Sequence, residues 1–117
     1  MGKRNNKDSK VYTKPELKVK GILDMLGFEE NKNYYHNMKV KVSKGRYLYP
    51  DFIVIAEDKK QVIEVSPVVW HTRYGKNDNK KINYFMDKGY NYLSLSDKTM
   101  INWEDIIRNE LLWVIIG

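Results

Sequence analysis

The chain has 117 residues, 42% of them hydrophobic and 13% aromatic, which is enough for one modest core and one domain. It contains no cysteine and only 2 histidines, excluding disulfide scaffolds, zinc fingers, iron–sulfur sites and thiol catalysis, so any metal would need oxygen ligands. With 21 Lys and Arg against 15 Asp and Glu the formal charge is +6, a balance that favours a polyanionic partner, nucleic acid first.

Residues 1–12 mix Lys, Asn, Ser and Gly with almost no apolar content and are expected to form a flexible basic arm, followed by a single domain over 13–117. Residues 1–20 hold seven basic side chains (Lys3, Arg4, Lys7, Lys10, Lys14, Lys18, Lys20) against Asp8 and Glu16, so +5 of the +6 lies there. Thr13-Lys14-Pro15-Glu16 combines the hydroxyl, early proline and third-position carboxylate of a helix start. Leu17, Ile22, Leu23 and Leu26 follow at roughly helical spacing, and Gly27 closes the helix. Residues 33–42 alternate as a strand, Ser43-Lys44-Gly45-Arg46 reads as a turn, and a second strand runs from Tyr47 to Ile55 with a kink or bulge at Pro50.

After the polar turn Glu57-Asp58-Lys59-Lys60, Gln61–Val65 forms a third strand ending at Ser66-Pro67, and these three strands are expected to be antiparallel neighbours. A loop with Trp70, His71, Arg73 and Gly75 leads to a helix over about 78–88 with Ile82, Phe85 and Met86 inward. Tyr92, Leu93 and Leu95 mark a fourth strand, placed parallel to the third by the helical crossover. The last helix spans about 102–114 on Ile106, Ile107, Leu111 and Val114, with Asn102 and Asp105 as a cap pair. The predicted fold is therefore α/β (α+β), a central mixed four-stranded sheet flanked by helices.

The residues that could carry chemistry are concentrated in Tyr49-Pro50-Asp51-Phe52, Val62-Ile63-Glu64-Val65-Ser66, Trp70-His71 and Asp78. Asp51 and Glu64 fall on adjacent strands at offsets that bring both carboxylates to one end of the sheet. Two carboxylates with a backbone carbonyl, that of Val65, suit Mg²⁺ and metal-assisted phosphodiester hydrolysis. Each residue also has a bland reading: Glu16 as the capping-box acid, Asp51 as a turn residue, Glu64 as the solvent-facing member of a strand, Asp78 as an N-cap, Trp70 as core, His71 as an idle loop histidine. His36, in the first strand, reads as structural or surface. An unpaired carboxylate is costly between Tyr49 and Phe52, which favours a ligand role for Asp51.

In these motifs the chain resembles the PD-(D/E)xK nuclease superfamily, whose hairpin carries Pro-Asp and then, about a dozen residues on, an acid, any residue and a lysine. Here the third element is Glu64-Val65-Ser66, without the lysine. The very-short-patch-repair endonucleases and their homing-endonuclease relatives with a Glu, Asp, His, Asp signature use a downstream histidine instead, and Trp70-His71 is similar to that replacement. The resemblance runs from Thr13 to about Trp113: Thr13, Glu16, Leu23 and Gly27 match the first helix, Asp51 the metal-binding aspartate, and Asp78 with Lys80 and Lys81 the downstream acid and its basic neighbours.

The resemblance implies a restriction-endonuclease-like core and a Mg²⁺-dependent deoxyribonuclease, with Mn²⁺ able to substitute, of phage or mobile-element setting, leaving 5′-phosphate ends by nicking or double-strand cleavage. The implied site has Asp51, Val65 and Glu64 at the metal and His71, Glu16 and Asp78 in proton handling and positioning. Lys3, Arg4, Lys7, Lys10, Trp70, Arg73, Lys76, Lys80 and Lys81 would contact DNA. A double-strand cut would need a homodimer. The alternative is a DNA-binding module that kept the nuclease fold without its activity; repair, homing, restriction and junction cleavage differ in substrate, not chemistry. No apolar run approaches the roughly 18 residues of a membrane span and no apolar stretch follows the charged N-terminus, so no membrane contact and a cytoplasmic location are expected.

Overall fold

A computed structural model of the protein describes residues 11–66 and 80–112. It is a mixed α+β fold. Helix α1 (Lys14–Met25) starts at Thr13, which accepts from Glu16 N–H while the Glu16 side chain accepts from Thr13 N–H, a complete capping box. It ends before Gly27, whose φ of +99° is the left-handed conformation that glycine takes without steric cost. Val19, Ile22 and Leu23 form its buried face, whereas Leu17, expected inward, is exposed.

The strands divide differently from expectation. The segment read as one strand from 33 to 42 is two, β1 (Tyr34–His36) and β2 (Val40–Ser43), and the next is also two, β3 (Arg46–Leu48) and β4 (Phe52–Ala56). Asn37, with φ of +55°, turns the chain out of β1, and Pro50 ends the second run before β4. Asn37 N–H donates to the Asp51 carbonyl at 2.9 Å, closing both breaks at one point. β2 and β3 therefore form a separate hairpin around the expected Lys44-Gly45 turn, with a register irregularity between Lys41 and Ser43.

The main sheet has the order β1-β4-β5-β6, where β5 is Lys59–Ser66 and β6 is Asn91–Ser96. β1 and β5 flank β4 antiparallel, and β6 runs parallel to β5 after the crossover through helix α2, helical over residues 80–87. A 3₁₀ stretch, Asp97–Asn102, leads into α3 (Trp103–Glu110). The expected cap pair is not formed: the Asn102 side chain makes no capping bond, and the chain is turned earlier by Ser96, whose hydroxyl accepts from Lys98 N–H and whose carbonyl accepts from Trp103 Nε1.

Alternation along the strands separates two cores. Phe52, Val54, Ile63 and Leu95 meet α1 and α3 through Val19, Leu23, Trp103 and Ile107. Ile53 and Val62 meet Phe85 of α2 on the other face. Ile82 is half-buried, while Met86, expected inward, is exposed. Among the described residues no helix is long and apolar enough to cross a membrane.

Candidate active site

β4 and β5 position the two acids. Their register sets Phe52 opposite Ile63, and one further step brings Asp51 opposite Glu64 where β4 begins. Side chains directly opposite one another share a face, here the one covered by α2. Backbone groups tie the pair together: Asp51 N–H donates to Glu64 Oε2 at 3.0 Å and Val65 N–H donates to Asp51 Oδ2 at 2.8 Å. A strand residue directs its N–H and C=O to the same neighbour, so the Val65 carbonyl lies on the Asp51 side too. Glu64 is buried, with 8% exposure, which removes the solvent-facing reading.

Lys81 approaches from α2, its Nζ 2.9 Å from Glu64 Oε2. Phe85 lies one turn on, fully buried against Ile53 and Val62, and residues four apart on a helix share a face, so the packing of Phe85 aims Lys81 at the sheet. Burial and the charge of Glu64 push the Asp51 carboxyl up to about 7; the Val65 N–H pulls it down, Glu16 adds to the rise, and Lys81 offsets part of it.

Glu16, on α1, acts on Asp51 through its charge. Its Oε1 accepts from Thr13 N–H at 3.1 Å and lies 3.0 Å from His36 Nε2. Burial pushes this carboxyl up, but the hydrogen bonds from His36 and Thr13 outweigh it and hold Glu16 below the ordinary carboxylate range. Capping and the pairing with His36 are thus two uses of one side chain. His36, read as structural or surface, is buried and stacks on the Tyr12 ring with centroids 3.9 Å apart. Alternation carries the signal for this: His36 is two residues from Tyr34, a fully buried position on the same face.

The site thus joins the β4–β5 pair, with Asp51 and Glu64, to α2, with Lys81; Glu16 of α1 and His36 of β1 pair on the face covered by α1, and the charge of Glu16 acts on Asp51 from there. Among the described residues no group of three or more His, Cys, Asp or Glu side chains is disposed to hold a metal ion. The oxygen donors offered are two carboxylates and a main-chain carbonyl. No family model, curated protein or solved structure matches the chain.

His71, Asp78, Trp70, Arg73 and Lys76 lie outside the described residues, as do Lys3, Arg4, Lys7 and Lys10. Lys80 is exposed where the described part of α2 begins. Lys81, expected only as a phosphate contact, is ion-paired with Glu64. Its spacing of four from the apolar Phe85 was the available signal.

Proposed function

We propose that the chain is a Mg²⁺-dependent DNA endonuclease of the PD-(D/E)xK type, with Asp51 and Glu64 as its acids. The observation that carries this reading is the pairing of half-buried Asp51, at the start of β4, with buried Glu64 on β5, tied by backbone hydrogen bonds, with Lys81 ion-paired to Glu64. Two carboxylates held this close repel each other, and a bound cation relieves that repulsion. The donor set of carboxylates and a carbonyl is all oxygen, the chemistry of Mg²⁺ or Mn²⁺. Asp51, Glu64 and the Val65 carbonyl would hold that ion, which when bound supplies Lewis-acid polarisation of the scissile phosphate and an activated water.

The remaining groups act around it. Lys81 places an ammonium beside Glu64, where it balances charge and donates to a phosphate oxygen, taking the position of the lysine absent from Glu64-Val65-Ser66. Glu16, kept ionised by His36 and Thr13, adds negative charge on the Asp51 side and orients the attacking water. His71 keeps its proposed part in proton transfer, with Asp78 beside it in that reading. One such site cuts one strand, so nicking is the expected elementary reaction.

The test is incubation of the full chain with supercoiled plasmid, with Mg²⁺ or with chelator. Relaxed circles are expected only with Mg²⁺, none with Asp51→Asn, and about 100- to 1,000-fold less with Lys81→Met, the usual cost of losing one preorganised electrostatic group. His71→Ala should cost about 100- to 10,000-fold if it carries the proton. Cleavage that survives chelation or Asp51→Asn overturns the assignment. DNA binding without any cleavage supports the inactive DNA-binding module instead.

A further inference from the structure

Lys81 links the candidate acids to a cavity of about 520 Å³ whose lining, among the described residues, includes Val42, Ser43, Arg46, Leu48, Lys80, Lys81 and Tyr84. Among the described residues its walls come from the β2–β3 hairpin and α2. We propose that this cavity binds a single nucleotide held out of the DNA stack beside the scissile phosphate, which makes unpaired or extrudable positions the preferred substrate. The proposal rests on the nuclease reading above and names its substrate class.

Three features of the cavity select that occupant. Its volume lies within the roughly 300–1,000 Å³ of pockets for small ligands, room for one nucleotide and not for a duplex. Its composition is divided as a nucleotide is: Arg46 and Lys80 offer two cations for phosphate beside Lys81, which is paired with Glu64, while Val42, Leu48 and the Tyr84 ring offer an apolar and aromatic wall for a base. Tyr84 is held in place edge-on against the buried Phe85, with centroids 5.4 Å apart. A duplex presents base edges in its grooves and hides the base faces in the stack, so an aromatic wall can be used only by a base that has left the stack. The separate hairpin, outside the main sheet, supplies one wall of this open cleft.

The experiment compares binding of the full chain, in chelator, to a matched duplex and to the same duplex with a single-nucleotide bulge, by fluorescence anisotropy. A preference of about tenfold or more for the bulge is expected. Tyr84→Leu should lower bulge affinity about 5- to 100-fold, the range for removing one base–aromatic stack, with matched-duplex affinity within about twofold. Arg46→Ala and Lys80→Ala should weaken both complexes and flatten their salt dependence. Equal binding of the two duplexes, or a bulge preference that Tyr84→Leu leaves intact, overturns the proposal. The two readings fail separately: a Tyr84-dependent preference without Mg²⁺-dependent nicking refutes only the nuclease, and nicking without the preference refutes only the pocket. Thermal melts of the variants check that each is folded.

Discussion

Asp51 is the residue with the most to gain from a change of charge. Its folded carboxyl, pushed up from 3.8 to about 7 by burial and by Glu64, binds a proton more tightly than the unfolded chain does. Its contribution to stability is therefore full below the unfolded value and is lost as pH rises through about 7. Asp51→Asn removes the charge beside Glu64 while keeping an oxygen for Val65 N–H. In chelator at pH 8 the variant should melt several degrees above the wild type, each ~1 kcal/mol being worth about 4 °C in a domain of this size. The gap should close toward pH 4, and thermal melts across pH check it; a gap independent of pH would mean that the two carboxylates do not repel. Glu16 has the opposite sign: its folded value is lowered, so its stabilisation is present above the ordinary carboxylate value and lost as pH falls through the folded one.

Among the elements, α1 and α2 bring in the charged groups, and each is held by a small set of interactions. Thr13→Ala removes the N-cap bond to Glu16 N–H and should cost about 1 kcal/mol in urea unfolding. Glu16→Ala should cost more, because it also leaves buried His36 without the carboxylate at 3.0 Å. On the other face Phe85 is the fully buried side chain among the described residues of α2. Phe85→Ala should cost about 3–5 kcal/mol. Amide exchange should rise over residues 80–87 more than in β4 and β5, whose other face is packed on α1 and α3. Equal loss of protection throughout would show that α2 and the sheet open as one unit.

For the whole molecule, charge and topology are separable. Deleting residues 1–10 removes four basic residues and one acidic residue, halving the net charge of +6. DNA affinity should fall and its salt dependence become shallower, by up to about 0.9 log units for each phosphate that the arm had neutralised. A titration against salt reads this directly, and an unchanged slope would mean that the arm touches no phosphate. The first helix with its capping box, the helical crossover to a parallel final strand and the proximity of Asp51 to Glu64 were legible along the chain. They depend on local spacing, alternation and short connections, which residues close in sequence determine. Three things were decided only by tertiary structure. β1 pairs with β4 while β2–β3 stands apart, because Asn37 and Pro50 release the hairpin only if the backbone closes between Asn37 and Asp51. His36 is buried, because α1 supplies Glu16 and the preceding segment supplies Tyr12. Lys81 becomes the partner of Glu64, because Phe85 docks α2 on that face. Each is a pairing across more than a dozen residues, and periodicity specifies which face a side chain takes but not what will be packed against it.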